Sequence, residues 1–403
     1  MSRGRGRHHP RVRVAVVAEY YPRRADPVLG VWAHRQAMAA REAGAEVRVL
    51  VLHRLVPPRA SLAGGPRGAV RALATLLAQP RREVRDGLEV TFVPYVSPIR
   101  SRAYAHWGAW SAPTLALALA HLRRSFAYDL VHAHNAVPAG DAVRRARVGV
   151  PVVVSVHGSD VLYTATRGAT GQAAVGRSLS NARLVLANSA GIAQLARDHG
   201  AGQTEVVHLG TDVPEGLPTR EGPPTLVTVA HLVGRKRHAD VLRAVAVLGE
   251  RHPKLRYVVI GDGPERDALA ALARRLGIAE RVELHGQLAP AQAVELARRC
   301  TLFVMPSTDE AFGVAYVEAM AGAIPAIGCR GEPGPEEIAA AGDGFMLVPP
   351  GDIERLTQRI DELLSDPLRL REAGRRARLT VTRHFTWEAC GRNTVAAYHR
   401  ALR

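Results

Sequence analysis

Two glutamates, Glu310 and Glu318, stand eight residues apart in a segment that runs from a predicted strand into a predicted helix. The apolar run Leu302–Met305 predicts the strand, and the polar turn after it places Glu310 at the carboxyl end. The helix is predicted to begin near Val314, so that Glu318 lies one turn further along on the same face. Free amides at such a helix start suit a phosphate or diphosphate, and a carboxylate can accept hydrogen bonds from a sugar diol. For one glutamate alone, a solvent-facing position on an amphipathic helix is the simpler interpretation.

Cations precede this segment at Arg235, Lys236 and Arg237, between a predicted strand and a predicted helix. A cation suits the negative charge that grows on a leaving phosphate in a transition state. A solvated basic face is the structural alternative for all three. Gly30 follows the first predicted strand, and Gly263 ends a Gly-Asp-Gly turn that is equally expected from the fold alone.

His157 directly follows the predicted strand Pro151–Val156, so its side chain can reach beyond the carboxyl end of a parallel strand. The structural alternative is a turn that His157 and Asp160 cap together. His132 and His134 alternate with metal-ligand spacing, but the sequence offers no Cys, Asp or Glu to complete a set. We therefore expect packed histidines at these two positions and no metal site.

Short β-branched runs alternate with longer stretches of helical period, which predicts an α/β fold of two doubly wound, mostly parallel sheets. Ligands of such sheets bind beyond the carboxyl ends of the strands, and two facing domains would place that crevice between them. The predicted strands are Arg13–Ala18, Glu46–Leu52, Leu88–Pro94, Leu130–Ala133, Pro151–Val156, Leu184–Ala187, Glu205–His208, Thr225–Val229, Tyr257–Ile260, Val282–His285, Leu302–Met305 and Pro325–Gly328. The predicted helices are Trp32–Ala43, Thr114–Arg124, Ala190–Arg197, His238–Glu250, Glu265–Leu276, Ala289–Arg299, Val314–Ala321, Ile353–Leu364 and the tail from Leu368 onward.

A proline-rich stretch at 213–225 predicts the linker between the domains. We expect one domain over 1–215, a second over 216–385, and a final helix over 386–403 that packs back toward the first. The segment Arg54–Val84 is rich in Gly, Pro and Arg and is predicted to be an irregular surface excursion.

The composition of the 403 residues, 47% hydrophobic and 23% charged, excludes disordered, fibrous and low-complexity classes. We expect no membrane span, because no apolar run approaches about 18 residues, and no signal peptide, because the first apolar stretch is short. Cys300, Cys329 and Cys390 form neither a disulfide framework nor a metal motif. We therefore expect a reducing cytoplasm and no disulfide partner.

Most of the net charge of +17 belongs to residues 1–110, where 19 Arg outnumber 7 Asp and Glu. A solvated basic surface, attraction to anionic lipid or an anionic acceptor, and nucleic-acid binding all remain open interpretations of this excess. Nucleic acid is the least favoured partner, because no basic stripe with interleaved aromatic residues accompanies the charge.

The segment EAFGVAYVEAMAGAIP at 310–325 resembles the Glu-x7-Glu signature of the large retaining nucleotide-sugar glycosyltransferase family with the GT-B fold (family 4, group 1). Segments 155–161, 187–195, 226–245, 258–269 and 282–288 resemble further motifs of this family, so the likeness covers nearly the whole chain. The resemblance implies two Rossmann-like domains facing across a cleft. The N-terminal domain would serve the acceptor and the C-terminal domain would bind a nucleoside-diphosphate sugar.

By this resemblance, Glu310 contacts the hydroxyls of the donor sugar and Glu318 contacts the ribose. The backbone amides near Phe312, Gly313 and Val314 would hold the diphosphate.

Lys236 matches the family's lysine on the donor phosphate, but the arginine that usually stands five residues earlier is His231 here. Either Arg235 or Arg237 replaces that charge, or His231 supplies a weaker, pH-dependent contact, and we favour Arg235.

In the N-terminal half, His157 would lie beside the donor sugar and the reaction centre. Gly30 corresponds to the family's glycine loop near the donor phosphate and acceptor, although one glycine stands where the family has two. Gly263 belongs to a glycine-bearing loop of the nucleotide-sugar domain.

The resemblance thus implies sugar transfer with retention, without a tightly bound cofactor or metal, to an unidentified acceptor. The missing Asp-x-Asp motif agrees with metal independence. A sugar-nucleotide epimerase and a non-catalytic nucleotide-sugar-binding relative are the alternatives, and His231 favours the latter. An NAD dehydrogenase is disfavoured because no Gly-x-Gly-x-x-Gly follows the first strand. We expect a cytoplasmic protein, with peripheral contact to the inner face of an anionic membrane as a further hypothesis.

Overall fold

A computed structural model describes residues 11–57, 61, 65–98, 106–217, 219–220 and 222–403. The basic start of the chain, 1–10, lies outside these residues. The chain divides into two compact units. The first unit comprises Met1–Ala187, Leu195–Val207 and Cys390–Arg403, and the second comprises Asn188–Gln194 and His208–Ala389.

The first unit is built on a sheet that has eight strands in the described part of the chain, in the order β3-β4-β2-β1-β5-β6-β7-β8. All neighbours are parallel except the edge pair β3 and β4. Its inner strands are near-continuous Val, Leu and Ala runs, because helices cover both faces of a parallel sheet. The strands are β1 Arg13–Ala18, β2 Glu46–Arg54, β3 Arg82–Arg85, β4 Leu88–Tyr95, β5 Leu130–His134, β6 Val152–Val156, β7 Leu184–Ala187 and β8 Thr204–Val206.

Six α-helices accompany these strands in the described residues. They are α1 Val31–Glu42, α2 Gly65–Leu77, α3 Trp107–Ser125, α4 Asp141–Ala146, α5 Ala169–Ser180 and α6 Ala190–Asp198. The chain passes from the second unit back to the first within α6.

The second unit has a parallel sheet whose described strands follow the order β11-β10-β9-β12-β13-β14. Its core is formed by apolar residues of β9, β10 and β12 and of the helices beside them, with Leu226, Tyr257 and Leu302 fully buried. The strands are β9 Thr225–Val229, β10 Arg256–Ile260, β11 Val282–Gly286, β12 Leu302–Val304, β13 Ala326–Cys329 and β14 Phe345–Val348. The helices are α7 His238–Leu248, α8 Arg266–Arg275, α9 Pro290–Arg298, α10 Val314–Ala321, α11 Pro333–Ala341, α12 Ile353–Leu364 and α13 Pro367–His384.

The last helix, α14 Trp387–Ala401, begins in the second unit and continues in the first from Cys390. Within the first unit, its Tyr398 hydroxyl lies 2.8 Å from His132 Nδ1, and Thr394 Oγ1 accepts a hydrogen bond of 3.1 Å from Gln36 Nε2. Helix α14 therefore contributes buried polar contacts to the core of the first unit.

The α/β fold with parallel sheets is confirmed, and every predicted strand is present with ends within two residues. The predicted irregular segment Arg54–Val84 is wrong in part, because helix α2 and the start of β3 lie within it. Gly65 and Pro66 occupy the first positions of α2. The backbone nitrogens there make no hydrogen bond within the helix, so a proline costs nothing. These residues therefore mark the start of a helix and do not interrupt one.

The sequence pattern misses or misplaces several other elements. Helix α3 begins at Trp107, seven residues before the prediction, and continues through Pro113. Strand β14 escapes prediction because it has four residues and ends the sheet, so its hydrophobic pattern is too short to recognise. Helices α5 and α11 also escape it, since Gly, Ser or Pro dilute their periodicity, and α4 escapes it because its six residues are too few to show a helical period.

Each unit carries its candidate residues just beyond the carboxyl ends of parallel strands. In the first unit, Gly30 lies in the connection after β1, and His157 directly follows β6. In the second unit, His231, Gly263 and Glu310 lie in the connections after β9, β10 and β12. Strands β9, β10 and β12 are neighbours in the sheet, so the loops that follow them are close together.

A glycine before β14 provides a test of this packing. Gly344 has φ +90°, and a Cβ there would lie 2.3 Å from the backbone nitrogen of Ala377 in α13. Gly331 has a similar φ of +81° but open space around it. We expect Gly344→Ala to lower the free energy of unfolding of the second unit by about 1–3 kcal/mol more than Gly331→Ala does, measured by calorimetry. Equal losses would mean that backbone conformation alone, and not close packing, requires Gly344.

Candidate functional site

Lys236 and Glu310 form a buried ion pair in the second unit. Lys236 ends a 3-10 turn, Gly234–Lys236, between β9 and α7, and Glu310 lies in the loop after β12. Their Nζ and Oε2 atoms are in hydrogen-bonding contact, and each side chain is about one-tenth exposed (10% and 11%). A buried ammonium needs such a partner, because an unpaired charge in the interior is strongly destabilising.

The Glu310 side chain also receives a hydrogen bond of 2.9 Å from Ser307 Oγ. Burial alone would raise the pKa of Glu310, but the Lys236 ammonium, with further contributions from Arg235 and Ser307, holds it below its ordinary value. The Glu310 amide donates to Glu332 Oε2 at 2.8 Å. Burial and the nearby carboxylates of Asp309 and Glu310 raise the pKa of Glu332, although that hydrogen bond opposes the shift.

The loop after Glu310 leads into helix α10 through Gly313. This residue has φ +85° and ψ +64°, a left-handed conformation that favours glycine, and a Cβ there would lie 2.3 Å from the Tyr316 ring. The amides of Phe312, Gly313 and Val314 have no acceptor within hydrogen-bonding distance among the described residues. Three donors at the positive end of a helix are thus available to an anion.

Phe312 is buried under this loop and fixes its position. Its ring stacks on His208 at 6.0 Å between centroids and meets Phe385 edge-on at 5.6 Å. The carbonyl of the preceding residue, Ala311, accepts a hydrogen bond of 3.0 Å from Ser189 Oγ. These contacts hold the backbone that carries the three amides.

Glu318 lies half-buried on α10, four residues after Val314. Its backbone carbonyl accepts a hydrogen bond of 3.3 Å from Arg298 Nε, and its carboxylate is near enough to favour the charged form of that guanidinium. Burial nevertheless lowers the pKa of Arg298 overall.

The other basic residues near Lys236 differ in exposure and in hydrogen-bond partners. Arg237 Nε donates to Asp240 Oδ2 at 2.6 Å, so its guanidinium is engaged in a salt bridge. Arg235 is exposed, and its Nη1 donates to the carbonyl oxygen of Asp309 at 3.4 Å. Its charge also helps to lower the pKa of Glu310. His231 is exposed, with Nδ1 3.4 Å from the carbonyl of Asp262.

Gly263 packs directly beneath the loop that carries His231. A Cβ at Gly263 would lie 2.5 Å from the carbonyl oxygen of Leu232, and the Leu232 amide donates to the Asp262 carbonyl at 3.1 Å. The glycine is therefore required by the close approach of two strand-end loops.

In the first unit, His157 belongs to a cluster of three histidines. His157 Nε2 lies 2.9 Å from His134 Nδ1, and the two rings are parallel, with centroids 5.2 Å apart. His132 packs against His134 and hydrogen-bonds to Ser155 Oγ at 2.7 Å as well as to Tyr398. Burial lowers the pKa of His132 and His157 to about 3 and that of His134 well below its ordinary value, so all three are neutral at pH 7.

Asp160 fixes the loop that carries His157. Its carboxylate accepts hydrogen bonds from the His157 amide at 3.3 Å, the Ala136 amide at 2.7 Å and Asn135 Nδ2 at 2.9 Å. The ring of Trp32 lies 6.0 Å from that of His157, between centroids. Gly30, at φ +64°, precedes α1, and a Cβ there would lie 2.1 Å from the Tyr20 carbonyl.

The structure thus brings Lys236, Glu310 and the 312–314 amides together, with Arg235 at the edge of this cluster. His157 and Gly30 lie in the other unit. Sequence reasoning missed Ser307 and Glu332, which hold Glu310 in place, and it named His134 only as a packed histidine without its contact to His157. Ser307 is the first polar residue after β12 and could have been noticed for that reason, whereas Glu332 comes from a distant loop and carries no local signal.

The buried ion pair predicts non-additive effects on stability. Lys236→Met leaves the Glu310 carboxylate buried without its cation, so we expect a loss of about 3–5 kcal/mol in the free energy of unfolding of the second unit. Adding Glu310→Gln removes that stranded charge, and the double variant should be more stable than Lys236→Met alone. A double-mutant cycle by denaturant unfolding measures this coupling. Simple addition of the two losses would contradict a buried pair.

The buried histidines predict sensitivity to acid. Their folded-state pKa lies below the ordinary 6.5, so the stability they contribute is present above about pH 6.5 and is lost as the pH falls toward 3. Each histidine contributes a slope of about 1.4 kcal/mol per pH unit in that range. We expect His134→Gln to reduce the pH dependence of the unfolding midpoint of the first unit, measured by thermal scans between pH 7 and pH 5. An unchanged slope would mean that folding does not shift the pKa of His134.

Among the described residues, no group of three or more His, Cys, Asp or Glu side chains has an arrangement that could hold a metal ion. No helix in that part of the chain is long and apolar enough to cross a membrane.

Comparison with known proteins assigns both halves of the chain. Residues 211–380 match the family model described as glycosyl transferases group 1, and residues 29–215 match that of glycosyltransferase family 4. Among curated proteins, a D-inositol 3-phosphate glycosyltransferase of Catenulispora acidiphila is 28% identical over 418 residues, covering 91% of this chain and 98% of that protein. An exopolysaccharide phosphotransferase of Streptomyces coelicolor is 33% identical over 221 residues, but the match spans only 23% of its length and 54% of this chain.

Solved structures support the same fold. Sucrose-phosphate synthase from Thermosynechococcus elongatus superposes with a TM-score of 0.77 at 20% identity, covering 97% of this chain and 99% of that one. Anabaena HepE in complex with UDP and glucose gives a TM-score of 0.72 at 19% identity, covering 96% of this chain and all of that one. The two family matches and these GT-B neighbours show that the chain is a member of the group 1, family 4 glycosyltransferases with the GT-B fold.

Proposed function

We propose that this glycosyltransferase moves a sugar, with retention at the anomeric carbon, from a nucleoside-diphosphate sugar to an acceptor hydroxyl. The observation that carries the proposal is the buried Lys236–Glu310 pair beside the three unpartnered amides that begin α10. One ammonium and three amides lie in the loops that follow β9 and β12, at the carboxyl end of a parallel sheet. This is the charge pattern that a diphosphate requires.

The roles of the residues in the second unit follow from their chemistry. Lys236 and the amides of Phe312, Gly313 and Val314 would bind the diphosphate. Glu310, ionised and already oriented by Lys236, can accept hydrogen bonds from the hydroxyls of the donor sugar. Glu318 would accept hydrogen bonds from the ribose, one turn further along α10.

The second cation on the donor phosphate is best supplied by Arg235. Arg237 is held by Asp240, whereas Arg235 is exposed and acts electrostatically on Glu310. His231, which stands at the family's arginine position, is exposed and would make a weaker contact whose strength depends on its protonation.

In the first unit, the family resemblance assigns His157 to the donor sugar and Gly30 to the donor phosphate and acceptor. His157 is neutral at pH 7, so it can donate or accept one hydrogen bond without adding charge. Its contact with His134 occupies Nε2 and leaves Nδ1 without a partner among the described residues.

The proposed reaction requires no covalent enzyme intermediate. The bond between the anomeric carbon and the β-phosphate oxygen breaks, and its electron pair remains on the phosphate. The acceptor oxygen attacks from the same face, and its proton passes to the leaving phosphate. Lys236 and the α10 amides stabilise the charge that develops there, so the chemistry needs no tightly bound metal.

The relatives are consistent with such a donor. HepE forms a complex with UDP and glucose, and the Catenulispora relative is named as a glycosyltransferase of D-inositol 3-phosphate. For this chain we propose a nucleoside-diphosphate sugar without specifying the base, and a hydroxyl acceptor without specifying its carrier. The three buried free cysteines favour a reducing compartment such as the cytoplasm.

The chain's two lysines provide a matched test of the proposal. Lys236 is buried against Glu310, and Lys254 is exposed. We expect Lys236→Ala to lower kcat/KM for transfer by about a hundredfold or more, because a cation on the leaving group is lost. Lys254→Ala should leave kcat/KM unchanged. The readout is sugar transfer from a panel of nucleotide sugars by the purified protein.

Binding measurements separate the alternatives. UDP, used as the probe, should raise the thermal unfolding midpoint of the wild type and of Lys254→Ala but not of Lys236→Ala. Full transfer activity in both Lys236→Ala and Glu310→Gln would refute the site. Conversion of a nucleotide sugar without acceptor, detected by NMR, would indicate an epimerase, and binding without any turnover would indicate a non-catalytic relative.

A further inference from the structure

Helix α2 exposes an apolar stripe on the surface of the first unit. Val70, Leu73 and Leu77 lie at positions i, i+3 and i+7, so they share one face. Their exposed fractions are 67%, 38% and 62%, and α2 has no buried residue at all. Most helices of a folded domain bury their apolar face, so an exposed one indicates a surface that another partner covers.

Helix α2 contacts the rest of the first unit through a different face from the stripe. The adjacent face, about 100° around the helix, carries Ala69, Ala72 and Leu76, which are half-buried. The carbonyl of Leu76 is 2.9 Å from Nε2 of His53 in β2. The helix therefore half-buries one face and leaves Val70, Leu73 and Leu77 in solvent.

The sequence that contains the stripe is strongly basic. Between Glu46 and Glu83 the sequence contains seven arginines and no aspartate or glutamate. Arg67 and Arg71 are exposed on α2 beside the stripe, and Arg81 and Arg82 are exposed just after its end.

We propose that α2 docks on the surface of an anionic lipid bilayer, with Val70, Leu73 and Leu77 in the headgroup–acyl boundary and the arginines on the headgroup phosphates. An amphipathic helix with a cationic flank binds membranes in this way, because burial of the aliphatic side chains and attraction of the arginines act together. Arginine can also keep its alkyl chain in the apolar layer while its guanidinium stays in the headgroups.

The chemistry of the stripe favours a bilayer over a nucleic acid. A sugar-phosphate backbone would attract the arginines but would gain nothing from three exposed aliphatic side chains, and the face has no aromatic residue for base stacking. Helix α2 itself has no acidic residue that would repel an anionic surface, and Glu83, the first one after it, is paired with Arg85. The stripe belongs to the first unit and the Lys236–Glu310 cluster to the second, and the docking proposal uses no residue of the proposed reaction.

Vesicle sedimentation of the full chain tests the proposal. The protein should co-sediment with vesicles of phosphatidylcholine and phosphatidylglycerol, bind weakly to phosphatidylcholine alone, and dissociate as salt is raised. Arg67→Gln with Arg71→Gln should lower the partition coefficient about thirtyfold, since each arginine contributes about a fivefold factor. Leu73→Glu with Leu77→Glu should abolish binding.

The matched control lies on α13, where Leu368→Glu with Arg371→Gln changes the same residue types at exposed positions of the second unit. This variant should bind vesicles like the wild type, and thermal unfolding should show that all variants remain folded. The proposal is overturned if both α2 variants bind as the wild type does. It is also overturned if the protein does not co-sediment with vesicles but binds double-stranded DNA, used as a polyanion probe.

Discussion

The buried ion pair between Lys236 and Glu310 is the constraint on which the second unit's loop cluster depends. The two residues are 74 positions apart in sequence, but they follow β9 and β12, which are adjacent strands. Neither charge is stable there without the other, because the interior solvates ions poorly. The pair therefore ties two strand ends together and fixes an ammonium and an ionised carboxylate in one place. An anionic ligand would meet a cation that is already oriented and desolvated, which is what electrostatic preorganisation requires.

In the same unit, the two ends of α10 have different hydrogen-bond partners. At the carboxyl end, the carbonyls of Ala321 and Gly322 accept hydrogen bonds from Arg378 and Arg220, and Arg298 bonds to the carbonyl of Glu318. Cations at this end neutralise its partial negative charge. At the amino end, the residue before the helix is a glycine without a capping side chain. The helix thus keeps its positive end open toward the Lys236–Glu310 loops.

The buried histidine cluster of the first unit differs from the buried ion pair of the second, because its polar groups carry no charge at pH 7. Its three clustered histidines are neutral, and they bond to one another, to Ser155 and to Tyr398 of the last helix. Histidine periodicity on β5 could suggest ligands, but only the packing of α14 shows what His132 contacts. The exposed arginines of this unit include Arg67 and Arg71 beside the apolar stripe of α2. The sequence pattern predicts an irregular segment in place of that helix, because Gly65 and Pro66 resemble breaks although they form a helix start.

The sequence by itself determined the α/β class, nearly every strand, the family, and the residues Lys236, Glu310 and 312–314 as the candidate site. These features depend on local patterns: apolar runs, glycines at strand ends, and a motif within one strand–loop–helix unit. Only the tertiary structure decided that Lys236 pairs with Glu310, that Arg237 is held by Asp240 while Arg235 is exposed, and that α2 has no fully buried residue. Each of these depends on which strands are neighbours and which helix face meets the sheet. Such relations join residues far apart in the chain, so no local spacing encodes them.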